Sequence, residues 1–491
     1  MEAANQPAPL DVKLATSRAG RIADVFVFGL WSVLVAVVLR HHEPWADEAQ
    51  AWLLARDLDL KALWFHELRY EGTPGLWHTI LWIAQHWFHA PYAALGGIGM
   101  MCAAAGVAFI LWKCPFPRAL RYLMVFSYFI VYQYAVVARS YNLLPLLLFA
   151  AACFYRDLTH PVRMTVALIL LANVSMHGTV LAASLGLCYL IEASRDWPRL
   201  SRAIRNRYRY CIAGTLLVFI FLFVILKPTP DVSEFATDRS SDLTLSKLES
   251  GAALAAAHAF LDQAALSGIF LLLACAWCFR RGKLLTFVLP VSLMVGLFIA
   301  LRGRPHHVGI VFLAAIAGLW IAWPSEPEFR NGSRADRLTN LGMAVLLAWV
   351  FCVNIWDAAF AMRNDYLYPY CGAADAASYI KEVGADKTTV FGYGYGIAAV
   401  QAYFPGNILV NIPTSYYHKG FPLHGATIDF SELKAAAPEY VIVFSDGVIA
   451  FKADEPGLEA VGYQLVHSSR GEVFFKRFNV LGQSYSIFQR K

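Results

Sequence analysis

The sequence predicts a polytopic α-helical membrane protein of about eleven spans with a small C-terminal α/β extracytoplasmic domain. Three observations carry that prediction. Hydrophobic residues make up 58% of the chain, charged residues only 15%, and the mean hydropathy is +0.48, against about 45–50% apolar and about 25% charged in a soluble domain. Lys and Arg gather in every second connection between apolar runs, as the positive-inside rule demands. After about residue 360 the long apolar runs stop, and short strand-like and helix-like segments alternate.

The polar start, 1–21, carries Lys13, Arg18 and Arg21 and reads as a cytoplasmic N-terminal segment. The apolar run 22–39 is long enough to cross a ~30 Å core at ~1.5 Å per residue. No small-residue cleavage site ends it, so an uncleaved first span with its N-terminus inside is expected. The segment 75–89 decides the rest. As a helix it is only about 22 Å long, and it carries His78, Gln85, His86 and His89. It is predicted to lie in the interface as an amphipathic helix. The spans then fall near 22–40, 91–112, 120–138, 142–155, 163–176, 178–193, 210–226, 263–279, 284–301, 308–323 and 338–360.

With those spans the inner connections hold Lys113, Arg118 and Arg121; Arg156 and Arg163; Arg195, Arg199, Arg202, Arg205, Arg207 and Arg209; Arg280, Arg281 and Lys283; and Arg330, Arg334 and Arg337. If 75–89 crossed, every cluster would move outside. The core domain is therefore 22–360, with outer loops 41–90 and 227–262, and 361–491 is an outer domain. The 227–262 loop is polar and reads equally as a substrate lid or a connector. Among the nine cysteines only Cys371 falls in the tail, and the rest lie in or beside apolar segments. This argues against a disulfide framework. The Cys275–Cys278 spacing reads as buried small hydrophobes. Asn331-Gly-Ser matches a glycosylation sequon but lies inside.

The tail predicts helices at 373–383, 397–403 and 431–437. Strands are expected at 388–391, 408–410 and 440–444, with a closing hairpin of 461–467 and 472–478. Together they form a partly parallel sheet. The Gly392-Tyr-Gly-Tyr-Gly396 run departs from the dinucleotide-loop spacing and reads as a structural turn.

Polar groups at the outer span ends supply the candidate chemistry. They are Asp47 and Glu48 after the first span, Glu71 and His78 later in that loop, and Arg139, Ser140 and Tyr141 after the third. His177 follows the fifth, and Arg302, Arg304, His306 and His307 follow the ninth. Ionisable groups at membrane depth are costly and mark function by default. Each also has a plainer reading. Asp47 fits the N-cap of a helix beginning near Ala49, Arg139 a headgroup anchor, His177 a satisfied polar residue in a turn, and Arg302 and Arg304 snorkelling side chains. As a set they suit one reaction class. A carboxylate serves as general base, and Arg with His holds a phosphate leaving group.

The run Trp45 to Asp57 (WADEAQAWLLARD) resembles the acidic first-loop motif of the GT-C glycosyltransferases. Tyr70 to His78 (YEGTPGLWH) is similar to the downstream Glu-x-x-Pro stretch of bacterial members related to protein O-mannosyltransferases and lipid A aminoarabinose transferases. Ala138 to Tyr141 (ARSY) resembles their Arg-x-Tyr element. The resemblance implies an inverting glycosyltransferase acting at the outer face of a bacterial inner membrane. Its donor is a polyprenyl-phosphate sugar, and its acceptor is a hydroxyl of a glycan, lipid or protein. By motif position Asp47 is the base, with Glu48 beside it as a second catalytic carboxylate, and Arg139 belongs to the donor site. Arg302, Arg304, His306 and His307 are assigned to the donor phosphate on charge and topology alone. Glu71, His78, Tyr141 and His177 complete the substrate-binding set. No metal ligand set and no obligatory cofactor is expected, although some branches of the family use a divalent cation. Membrane lipids are expected partners and nucleic acid is not. The domain would bind acceptor or a partner, with Tyr393, Tyr395, Tyr403, Tyr416, Tyr417 and His418 as candidate stacking surfaces. The alternatives are a carrier or flippase for a lipid-linked glycan, and a scaffold subunit of an envelope complex. A carrier would place charges near the midplane and show a repeat, and neither is visible.

Overall fold

The computed structural model describes residues 18–227, 245–300, 305–325, 328, 332–417, 428–446 and 454–491. Arg302, Arg304, Asn331, His418 and much of the 227–262 loop lie outside the described residues.

The chain is a membrane-embedded helical protein carrying a small C-terminal sheet. Five helices are long and apolar enough to cross a membrane: Arg18–Leu39, Tyr92–Lys113, Met176–Arg195, Arg202–Leu226 and Arg334–Leu367. A pair bent by 81°, Leu248–Ala259 and Ala264–Arg280, makes a sixth if taken as one span. Shorter apolar helices lie among them: Ser140–Phe154, Pro161–Ala172, Leu284–Ala300 and Val308–Ala322. Every residue of Val308–Ala322 is buried, so this helix forms the centre of the bundle. Lipid-facing helices such as Arg202–Leu226 instead expose Leu217 and Phe223.

Contacts sort the helix ends onto two faces. One face has Asp24 beside Arg118 and Tyr122, Arg156 on the Ile321 and Trp323 carbonyls, and the pairs Lys283–Glu192, Arg281–Glu328 and Arg280–Asp336. The other has His42 on Asp365, Tyr92 on Tyr403, Arg139 on Asp47 and His306, and Lys476 on Asp262. Arg118, Arg156, Arg280, Arg281 and Lys283 thus lie at the helix ends opposite those that meet the sheet domain.

Two segments differ from expectation. The span predicted over 120–138 is not one helix. It is the helix Arg118–Val125, a π-helical turn Phe129–Gln133 and irregular backbone to Arg139. Residues 127–138 are all buried, and the irregular stretch is tolerated because protein rather than lipid surrounds it. The 75–89 segment forms the helix Leu76–His86, packed on Ala46–Asp57 rather than crossing the bundle. Gln85 donates to the Trp52 carbonyl at 3.1 Å and Trp82 to the Leu58 carbonyl at 3.1 Å. Trp87 and Phe88 at its end are 68% and 75% exposed, an interfacial aromatic tip.

The domain is a four-stranded mixed sheet of β1 (Val390–Tyr393), β2 (Tyr440–Asp446), β3 (Tyr463–Phe475) and β4 (Phe478–Arg490), in the order β1-β2-β4-β3. The β1–β2 pair is parallel and the others are antiparallel. The strand expected at 408–410 makes only an isolated bridge, Val390 to Leu409. The predicted hairpin is corrected: 461–467 and 472–478 belong largely to one long strand, β3, which pairs with β4. The Ser468-Ser-Arg-Gly471 stretch is not a turn. Gly471 is there because the Cys371 backbone passes where a Cβ would stand.

The true turn is Lys476-Arg477, with Lys476 at φ 53°. It enters the membrane domain. Lys476 lies 2.6 Å from Asp262 and 3.0 Å from Asp357, and Arg477 2.8 Å and 2.9 Å from the same two carboxylates. Phe475 packs on Tyr128 and Phe129. A second joint is apolar. Ala49, Leu53 and Leu54 of the first-loop helix share one core with Ala376, Ile380, Ile397, Ile442 and Ile487 of the domain.

Candidate functional site

The site begins at the helix Ala46–Asp57. Trp45 is its cap residue, with extended backbone at φ −89° and ψ −178°, and Glu48 closes the first turn by accepting the Trp45 N–H at 3.1 Å. Asp47 is therefore not the cap. Neighbouring helical residues point about 100° apart at 3.6 residues per turn, and the acidic pair divides accordingly. Asp47, 37% exposed, meets Arg139 at 3.0 Å, while Glu48 turns inward and is fully buried.

Glu48 is held by three donors. These are the Trp45 N–H, the Ala138 N–H and His42 Nε2, the last at 3.1 Å. The other His42 nitrogen, Nδ1, lies 2.8 Å from Asp365, which also accepts from the Tyr132 hydroxyl at 3.0 Å. Both ring nitrogens face carboxylates, so both carry protons and His42 is an imidazolium. Burial opposes that charge, but Asp365 and Glu48 outweigh it and raise the His42 pKa well above its ordinary value. His42, Asp365 and Tyr132 were not singled out in the sequence. The available signal was Asp365 itself, an ionisable group near the end of an apolar helix.

Arg139 precedes a 3-10 turn, Ser140–Leu143, where the Asn142 side chain accepts the Arg139 N–H at 2.7 Å. The irregular backbone before it delivers Ala138 to Glu48 and Arg139 to Asp47. The Arg139 Nη1 lies 2.9 Å from His306 Nε2. Arginine only donates, so His306 Nε2 accepts and its proton sits on Nδ1, the neutral tautomer. The guanidinium stands 5.4 Å from the Tyr141 ring centroid. Around Tyr141 stand His177, His306 and His307, with ring centroids at 6.1, 6.3 and 6.0 Å. His307 lies 4.7 Å from His177 and 4.2 Å from His306.

The structure therefore brings together Asp47, Arg139, Tyr141, His177, His306 and His307, from four separate stretches of chain. Glu71 stands behind them, accepting from Gln50 at 3.1 Å and within electrostatic reach of Arg139. His78 is buried on a helix that touches the Ser140–Leu143 turn. Arg302 and Arg304 lie outside the described residues. Among the described residues no three His, Cys, Asp or Glu side chains are grouped to hold a metal ion. A cleft of about 390 Å³ opens elsewhere, between the first loop and the domain. Among the described residues no carboxylate lines it. Comparison with family models, with characterised proteins and with solved structures returns no match.

Proposed function

We propose that the chain is an inverting glycosyltransferase of the GT-C type, with eleven membrane passes. It would move a sugar from a polyprenyl-phosphate donor to an acceptor hydroxyl at the domain-bearing face, which is the periplasmic face of a bacterial inner membrane. The observation that carries this reading is the 3.0 Å pair of Asp47 and Arg139 beside an imidazole and phenol cluster.

In the free protein Asp47 and Arg139 neutralise each other. A donor phosphate competes for the guanidinium, which suits planar bidentate binding of phosphate. Its arrival frees the Asp47 carboxylate to take the proton of the acceptor hydroxyl. The acceptor oxygen forms its bond to the anomeric carbon as the bond from that carbon to the phosphate oxygen breaks. Polyprenyl phosphate leaves with the electron pair, stabilised by Arg139 and the neighbouring donors. Glu48, fully buried and triply bonded, holds the helix start in place rather than reacting.

The test is transfer from a radiolabelled polyprenyl-phosphate sugar by purified protein, wild type against Asp47→Asn. Transfer is expected to fall by about 10²-fold or more with donor binding retained. Unchanged transfer would remove Asp47 as the base. Donor binding and movement across vesicles without any turnover would instead support a carrier.

A further inference from the structure

The cleft of about 390 Å³ is unused by the reading above. Its volume falls within the ~300–1,000 Å³ of small-molecule sites, and it lies where such sites concentrate, at a junction between two folding units. One wall is Trp52 and Gln85 with Tyr92, from the first loop, and the other is Tyr403 and Phe404, from the domain. The ring of Tyr92 stands 5.8 Å from Trp52 and 5.1 Å from Tyr403, the latter edge to face. The walls therefore form one continuous aromatic surface.

Charge decides what such a surface would take. Among the described residues Arg56 is the only Lys or Arg in the lining, and its charge is already met. Its Nε and Nη2 lie 2.6 Å and 3.1 Å from Asp57, and its Nη1 donates to the Phe404 carbonyl at 2.6 Å. Outside the lining, Lys381 Nζ stands 6.0 Å from the Tyr403 ring centroid and 5.1 Å from that of Phe404, and among the described residues the lining itself offers an anion no spare Lys or Arg. What remains are ring faces and neutral hydrogen-bonding groups. Gln85 uses its Nε2 on the Trp52 carbonyl, which leaves its oxygen for a ligand hydroxyl. His86 and His89 stand exposed at the rim, and the Tyr92 hydroxyl is buried with no hydrogen-bond partner among the described residues. Aromatic faces with neutral donors and acceptors suit a polyhydroxylated, uncharged ring.

We infer that this cleft is a saccharide-binding site, distinct from the Asp47 cluster. Trp52 follows Asp47 by five residues, about 140° around the helix at 3.6 residues per turn, so the two sites use different faces of one helix. The exposed Trp87 and Phe88 beside His86 place the cleft mouth at the bilayer boundary. The saccharide thus comes either from a glycolipid headgroup or from a soluble glycan chain. The inference does not depend on the chain being a glycosyltransferase.

The experiment uses the full-length protein in nanodiscs. Soluble probes are maltoheptaose, mannopentaose and chitopentaose. Membrane probes are nanodiscs containing glucosyl diacylglycerol, with phosphatidylglycerol nanodiscs as the anionic control. Saturation-transfer NMR or tryptophan quenching reads binding, and the variants are Tyr403→Ala, Gln85→Ala and Tyr92→Phe. At least one sugar probe is expected to bind, with affinity at least about tenfold weaker in Tyr403→Ala, and the class of probe that binds identifies the source. Failure of every sugar probe with the wild type overturns the site. So does sugar binding unchanged in all three variants, or a response only to the anionic control. Tyr92→Phe guards against misfolding, because it removes one oxygen and leaves the ring packing.

Discussion

Arg139 is the residue on which the cluster turns, because it touches Asp47 at 3.0 Å and His306 at 2.9 Å at once. A lysine there keeps the charge but offers one ammonium where a fork of donors is needed. Arg139→Lys is therefore expected to lower transfer by about 10²-fold, with the loss appearing in donor affinity as well as turnover; steady-state kinetics against donor concentration separates the two. A variant with unaltered donor affinity would take Arg139 out of the phosphate site. Asp47 and Arg139 were both legible in the sequence, since each is an ionisable group beside the end of an apolar run. His42 was not, because its partner Asp365 is 323 residues away, and no local pattern announces a pairing of that span. Lys476 was hidden for the same reason. A positive residue in a domain hairpin looks solvated until the structure sets it against Asp262 and Asp357.

At the scale of elements, one buried contact fixes the domain to the membrane bundle and another ties the first loop to the last long helix, and each makes a separate prediction. The first is the hairpin tip. Lys476 and Asp357 are fully buried and bonded to each other at 3.0 Å, and removing the lysine leaves Asp357 and Asp262 sharing Arg477 as their one remaining cation among the described residues. Lys476→Met is expected to destabilise the protein by about 3–5 kcal/mol, read as a fall in the midpoint of thermal unfolding in detergent, whereas Arg477→Gln, whose side chain is 37% exposed, should cost less. Equal effects would show that the buried pairing is not what matters. The second is the Glu48–His42–Asp365 bridge, which ties the first loop to the helix Arg334–Leu367. The folded-state pKa of His42 is raised, so its contribution is complete below the ordinary histidine value of about 6.5 and is lost as pH rises through the raised value. The unfolding midpoint should drop as pH climbs above neutral, and His42→Gln should flatten that part of the curve; parallel curves for the two proteins would refute it. The hairpin also shows where sequence reasoning fails at this scale. Small and polar residues at 468–471 looked like a turn, but Gly471 answers a close backbone approach instead.

For the whole molecule, several helices run between the two sets of contacts. Leu39 and Leu226 end helices on the domain face, and Lys113 and Arg195 end helices on the basic face. The buried helix Val308–Ala322 and the broken 118–139 segment also run between the two sets of contacts, the latter from Arg118 near Asp24 to Arg139 at Asp47. Length and apolarity give five spans, or six with the bent pair, among the described residues. Charge placement, which constrains the connections rather than the helices, leads to eleven. The two criteria part at the broken 118–139 segment and at the helices Ser140–Phe154, Pro161–Ala172, Leu284–Ala300 and Val308–Ala322. Cysteine labelling can decide between them. Arg199, whose side chain is 85% exposed, lies past the end of Met176–Arg195 on the basic face, and Lys387 is exposed on the domain. In sealed spheroplasts an impermeant maleimide is expected to modify Lys387→Cys above the background of native cysteines and to spare Arg199→Cys until the membrane is opened. Labelling of both before lysis would place the basic clusters and the domain on one side, and the eleven-pass arrangement, with Asp47 at the outer surface, would fall with it.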